Sequence, residues 1–360
     1  MNEYDRVMQA RFAQMRERMK DMKLKFGPYD NPAVPLYDDA PCYPIEQLLQ
    51  LSALGSRARM CRDEAEQAKL LDAFAALRDS IQKKPDAPER IYLWPKGKVP
   101  TLTEYTDNSE YAFTHDPGYE PYLFEMLIPE DVTPKGAIVV CAGGDHGNAT
   151  LHEGYQVCLD MNALGYQCFL LNNRPLMNPW NGQEAGADSA RAIRFVRKNA
   201  EKYRIDPKNV AFAGFSNGGS TGEALIRFYS GEQTVADHFP GYEPDELDSY
   251  YGAPDAFICV YGPRYNGAPF DYSKVVYPPT FFAVGRLDGA MDNLHWVYPS
   301  LLEQGIPVEI HTFAGTPHGQ AGAKINNGGV SKYPNFDLWE PLADAFMQDV
   351  YHPAPAPAMF

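Results

Sequence analysis

Two kinds of hydrophobic pattern divide the chain near residue 88. In the first stretch Val7, Met8, Phe12, Met15, Met19 and Met22 recur every three or four positions, with Arg and Lys on the other face. That spacing predicts an amphipathic helix. The pattern predicts a second helix over about 44–60. A third starts at Asp63, where Asp63-Glu64-Ala65-Glu66 has the form of a capping box, and runs through Leu70, Phe74, Leu77 and Ile81. Helices with so narrow an apolar stripe need a partner surface. Residues 1–88 are therefore expected to form an N-terminal helical extension that docks on the main domain, covers its site as a lid, or makes a homodimer contact.

From about residue 90 the pattern changes. Apolar runs at Ile91–Trp94, Tyr122–Ile128, Ala137–Ala142, Gln167–Leu171, Val210–Phe215, Ala256–Tyr261, Thr280–Val284 and Val308–Phe313 read as strands. Helical periodicity fills about 152–164, 185–203, 217–229, 291–304 and 337–351. Strands alternating with helices give a mostly parallel sheet covered on both faces, so the expected architecture is three-layer α/β, with residues 89–352 as one domain. The remainder, 353–360, alternates Pro and Ala and cannot continue a helix; it is expected to be a flexible tail.

Composition narrows the partners. The chain has 360 residues, 44% hydrophobic and 22% charged, which supplies enough apolar surface for a sizeable core and excludes a disordered chain. Asp and Glu outnumber Lys and Arg by 47 to 32, a formal charge of −15 that repels phosphate backbones and anionic lipid. Neither nucleic acid nor a membrane is an expected partner. The N-terminus lacks the basic start and apolar run of a secretory signal, and no segment approaches the roughly 18 apolar residues of a membrane span. The expected location is cytoplasmic. Six cysteines show no C-x-x-C pairing, and Cys141, Cys158, Cys168 and Cys259 sit in apolar runs, so reduced core thiols are expected.

The chemistry concentrates after Val210–Phe215, where the strand runs into Gly214-Phe215-Ser216-Asn217-Gly218 and then a helical pattern. Strand, tight turn and helix are the context that a G-x-S-x-G nucleophile requires. Such a turn lifts the Ser216 hydroxyl clear of the sheet and aims the first helical amide, Asn217 N–H, at an oxyanion forming beside it. A serine hydroxyl needs a base, and the base needs a carboxylate to orient it. Asp288 follows the strand Thr280–Val284, with Asp292 as its rival; His318 lies on the glycine-rich loop after Val308–Phe313, whereas His311 lies inside that strand. The expected catalytic set is Ser216, Asp288 and His318. Ala137–Ala142 runs into Gly143-Gly144-Asp145-His146-Gly147, so Gly143 or Gly144 is expected to supply a second oxyanion donor. His146 and His152 lack the further ligands of a metal site, and neither metal nor cofactor is expected. His152-Glu153 is expected to brace the helix beneath the oxyanion loop. Trp180 and Tyr265, on loops after strands, are candidates for stacking on a sugar ring, and Asp145 and His146 complete the substrate-facing candidates.

These residues resemble the α/β-hydrolase fold, and within it the acetyl xylan esterase-like branch of carbohydrate esterases. The resemblance rests on Leu93-Trp94-Pro95-Lys96-Gly97, Gly143-Gly144, His152-Glu153, Asn173-Arg174-Pro175, the helix Asp188 to Ala200 with Ile205-Asp206-Pro207, the Ser216 turn, Gly285-Arg286-Leu287-Asp288 and Pro317-His318-Gly319, all within about 90–350. It implies hydrolysis of small acyl esters, commonly acetyl groups on sugars, through an acyl-serine. The chain departs from the branch at Ala142-Gly143-Gly144-Asp145, where three glycines are usual, and at Asn217, where a small residue is common. Two other readings stay open: an esterase or acyl-peptide hydrolase acting on hydroxycinnamoyl or other non-sugar esters, and a hydrolase-fold binding module without turnover.

A histidine base must be neutral to accept the serine proton, so ester hydrolysis should rise with pH about the ordinary imidazole value of about 6.5. A pH–rate profile of kcat/KM checks this, and a flat profile from about pH 5 to 8 contradicts it.

Overall fold

The structure is a computed structural model that describes residues 33–103, 118–144, 150–174, 181–262 and 271–353. The helix expected around Val7 to Met22 and nearly all of the 353–360 tail lie outside these residues. In chain order the elements used below are helices α1 (Val34–Asp38), α2 (Ile45–Met60) and α3 (Glu64–Ser80), then strands β1 (Ile91–Tyr92), β2 (Tyr122–Met126) and β3 (Gly136–Cys141). A π-helix (Thr150–Gln156), α4 (Val157–Ala163), β4 (Tyr166–Asn172), α5 (Gly182–Lys198), β5 (Val210–Phe215) and α6 (Asn217–Tyr229) follow. The chain continues through β6 (Ala256–Val260), β7 (Thr280–Gly285), α7 (Met291–Glu303), β8 (Val308–Phe313), a 3-10 turn (Ala323–Asn327) and α8 (Trp339–Tyr351).

The eight strands form one sheet in the order β1-β2-β4-β3-β5-β6-β7-β8. From β4 to β8 every pairing is parallel, whereas β1 and β2 add antiparallel strands at one edge. Every residue of β3, β4, β5, β6 and β7 is buried, as the unbroken apolar runs require of strands covered on both faces. This is the expected three-layer α/β architecture. Parallel direction has one consequence for chemistry: the carboxyl ends of β3, β5, β6, β7 and β8 all open onto the same edge.

Several boundaries move for identifiable reasons. β1 stops at Tyr92 because Trp94 turns inward, its indole N–H donating to the buried Asp188 carboxylate at 2.8 Å. β2 ends at Met126, and the Ile128 amide instead donates to the Gln167 side chain at 2.9 Å. β6 ends at Val260 because Tyr261 takes a positive φ of 38°, outside strand geometry. The helix expected over 152–164 opens with a π-helical turn at Thr150–Gln156 before α4, a wider winding that places an extra residue toward the sheet edge. α5 starts earlier than its periodicity suggests, capped by the Asn181 side chain, which accepts the Glu184 amide at 3.0 Å.

The described part of the N-terminal extension docks on this sheet domain. Tyr37, Leu48, Leu51 and Phe74 form a satellite core with Leu151 of the π-helix and Ile325 of the 3-10 turn. Asp39 anchors it on the other side, accepting two hydrogen bonds from Arg90 at 2.9 and 2.7 Å and one from the Tyr122 hydroxyl at 2.9 Å. All six cysteines are free thiols, and all but Cys61 are buried. Among the described residues no helix is long and apolar enough to cross a membrane.

α4 and α8 meet at a half-buried cluster: the Lys324 ammonium lies 2.8 Å from Asp160 and 3.9 Å from Glu340. Burial, then the neighbouring Asp160 charge, push the Glu340 carboxyl up to about 8 from its ordinary 4.5. Between these values the folded state holds a proton that the unfolded chain releases, so this group's contribution falls as pH rises from about 4.5 to 8. Glu340→Gln, which mimics the protonated carboxyl, should match the parent in urea midpoint near pH 5 and exceed it near pH 8.5, by a stability on the order of 1 kcal/mol or more. Equal midpoints at pH 8.5 would contradict that protonation state.

Candidate active site

Ser216 stands between β5 and α6 with φ 50° and ψ −113°, a backbone conformation that costs on the order of 1–3 kcal/mol for a non-glycine residue. Its neighbours explain how the turn is held. A Cβ on Gly214 would come 2.4 Å from the Gly218 carbonyl oxygen, and one on Gly218 would come 2.0 Å from the Cys141 carbonyl oxygen. Only glycine fits at both positions. The Ser216 amide donates to the Val260 carbonyl of β6 at 3.1 Å, which ties the strained residue to the next strand.

The three residues singled out from the sequence meet. His318 Nε2 lies 2.8 Å from Ser216 Oγ, and His318 Nδ1 lies 2.7 Å from Asp288 Oδ2. Asp288 is buried, and its Oδ1 accepts the Ala290 amide at 2.8 Å, so the carboxylate is fixed from both oxygens. An ionised carboxylate can only accept, which assigns the proton to Nδ1 and leaves Nε2 as the acceptor for the serine hydroxyl. The rivals are elsewhere: Asp292 is exposed on α7, and His311 pairs with Glu309 on β8 with its ring against Phe281.

The oxyanion assignment needs a correction. Gly143 N–H, one of two expected loop donors, instead donates to the buried Glu153 carboxylate at 2.7 Å and is not available to a substrate oxygen. Glu153 lies ten residues beyond it on the π-helix, where the glycine run gives no hint of it. Gly144, with φ 67°, makes no hydrogen bond among the described residues, nor does the Asn217 amide at the N-terminus of α6. The carbon of a bound ester beside Ser216 would therefore face helix-end amides on one side and the β3 loop on the other. Asp145, His146, Trp180 and Tyr265 lie outside the described residues.

Tyr261 is the residue that sequence patterning missed. It ends the β6 run, and a hydroxyl-bearing aromatic at the carboxyl end of a central strand was the available signal. Its buried hydroxyl donates to Glu153 Oε1 at 2.8 Å and accepts the Ala321 amide at 3.2 Å, while its ring stands 4.8 Å from that of His318. Burial, reinforced by the Glu153 charge, holds the phenol well above its ordinary pKa, so it remains a donor. No group of His, Cys, Asp and Glu with a metal-binding arrangement occurs among the described residues.

Residues 127–251 match the BD-FAE family model. The chain is 31% identical over 208 residues to endo-1,4-beta-xylanase B of Butyrivibrio fibrisolvens, covering 55% of this chain and 31% of that protein. It is 30% identical over 93 residues to an acetylxylan esterase of Xylanibacter ruminicola, covering 26% of this chain and 19% of that protein. The chain thus spans less than a third of the length of either curated relative. Among solved structures, the acetyl ester-xyloside bifunctional hydrolase of Caldicellulosiruptor lactoaceticus superposes with a TM-score of 0.55 at 23% identity, over 73% of this chain and 97% of that one. The fold is that of the α/β hydrolases.

The strain at Ser216 has a measurable sign. Ser216→Gly and Ser216→Ala both remove the hydroxyl, but only glycine relaxes the positive φ, so the Gly variant should be the more stable by about 1 kcal/mol in urea unfolding. A more stable Ala variant would show that the turn is not strained.

Proposed function

We propose that this chain is a serine esterase that removes small acyl groups, acetyl foremost, from carbohydrate esters through an acyl-serine intermediate. The observation that carries the reading is the relay from Ser216 through His318 to Asp288, with both links at hydrogen-bond distance and the serine on a helix N-terminus. The acetyl-on-sugar substrate is supported by the likeness of the chain to an acetylxylan esterase and to an acetyl ester-xyloside hydrolase.

In this mechanism Ser216 Oγ attacks the ester carbonyl as His318 Nε2 takes its proton, and Asp288 stabilises the imidazolium that forms. The negative charge moves to the carbonyl oxygen, where Asn217 N–H and Gly144 N–H donate to it. Donors fixed before the reaction stabilise this charge without reorganisation, and one such donor contributes about 10²–10³-fold in rate. Collapse breaks the bond to the sugar oxygen, which takes the proton from His318 and leaves. Water then attacks the acyl-serine, giving its proton to His318, and the second collapse releases acetate and returns the proton to Ser216. Each step uses only protons and electron pairs already present, and no cofactor enters.

The test compares acetate release from acetylated xylo-oligosaccharides with hydrolysis of hydroxycinnamoyl esters, alongside intact mass after treatment with a fluorophosphonate. The expected result is acetate release, one adduct on Ser216, and loss of both in Ser216→Ala, with kcat lower by at least about 10³-fold. Preference for hydroxycinnamoyl esters would move the substrate class. A folded parent that forms no adduct would point to a binding module, and a Ser216→Ala variant with half the parental kcat would remove the serine from the mechanism.

A further inference from the structure

Glu153 is a buried carboxylate that the relay does not use. Its Oε2 accepts Gly143 N–H at 2.7 Å and its Oε1 accepts the Tyr261 hydroxyl at 2.8 Å. The same hydroxyl accepts Ala321 N–H at 3.2 Å, three residues past His318. One side chain thus joins the loop after β3, the end of β6 and the loop that carries the histidine. The fit is close: a Cβ on Gly143 would come 2.6 Å from Glu153 Oε2 and 2.8 Å from Ser216 Cβ, so the Gly143 backbone is held between the carboxylate and the serine. His152 Nε2 lies 3.8 Å from Oε1.

We propose that Glu153 is the positioning residue of the oxyanion site. It turns the Gly143 amide away from the substrate, leaves the Gly144 amide to donate with Asn217, and through Tyr261 holds the His318 loop in step with both. The proposal rests on the esterase reading above. An ionised carboxylate suits the task because it accepts in two directions and makes each bond charge-assisted. Glutamine offers one acceptor oxygen, and its amino group meets either the Gly143 N–H or the Tyr261 hydroxyl. It should therefore restore part of what alanine removes. Because the amides it aligns act on the tetrahedral oxygen, the loss should fall on kcat and leave ground-state binding nearly unchanged.

The experiment measures kcat and KM on an acetyl ester, the inhibition constant of a trifluoromethyl ketone that forms a tetrahedral adduct with serine, and thermal unfolding, for the parent, Glu153→Ala, Glu153→Gln and Tyr261→Phe. Expected is a fall in kcat of about 10²-fold for Ala and about tenfold for Gln, with Tyr261→Phe also lowered and KM within about threefold throughout. The ketone should weaken in proportion to kcat, which a loss of stability alone would not produce. If Glu153→Ala does not fold, Gln and Tyr261→Phe carry the same comparison. Parental kcat in both, or a fall in kcat with unchanged ketone binding, overturns the proposal while esterase turnover stands. A parent that hydrolyses no ester overturns the reading beneath it, and the proposal with it.

Discussion

The site depends on backbone touching backbone where the first turn of α6 meets the end of β3. The Cys141 carbonyl occupies the space that any side chain at Gly218 would need. That contact sets how far α6 enters the sheet edge, and so where its unpaired amides point. Beside this contact Ser216 takes a positive φ of 50°, a strained conformation for a residue with a side chain. The β3 loop and the nucleophile then lie within a van der Waals contact of each other, and the remaining catalytic geometry is arranged around that approach.

Away from the edge, the fold is held by buried charges that are paired in turn. On α5, Arg191, Arg194 and Arg197 are all buried and bind Asp245, Asp248 and Asp255 on the segment before β6. Above them Arg174 makes a two-pronged contact with Asp188, which also accepts from Trp94. An unpaired guanidinium in these positions would be strongly destabilising, so each Arg dictates where its acidic partner's loop must lie.

The parts of this arrangement legible in sequence are those with local signatures. β5, β8 and α6 follow the apolar runs, and Ser216, Asp288 and His318 are readable because each comes after a run that reads as a strand, buried throughout in β5 and β7 and half-buried in β8. The Gly143 amide could not be assigned in that way, since its partner Glu153 reaches it through a π-helical turn that leaves no distinct spacing. Trp94 reads as strand but is drawn inward by Asp188, a long-range bond that outweighs its local preference. Tyr261 reads as the last residue of a strand, yet its backbone turns to deliver a hydroxyl to two loops. In each of these cases a polar contact distant in sequence overrides a pattern confined to neighbours.

The satellite core beneath α2 and α3 also bears on the order in which the chain is made. Its hydrophobic faces are synthesised well before Leu151 and Ile325 that cover them, and the Ser52 hydroxyl finds its partner in Asn326, 274 residues further on. Until then Leu48, Leu51 and Phe74 have no permanent cover, a period in which exposed apolar helices invite association with other chains or capture by a chaperone. Closure of that core thus waits for the same stretch of chain that brings the histidine loop into place.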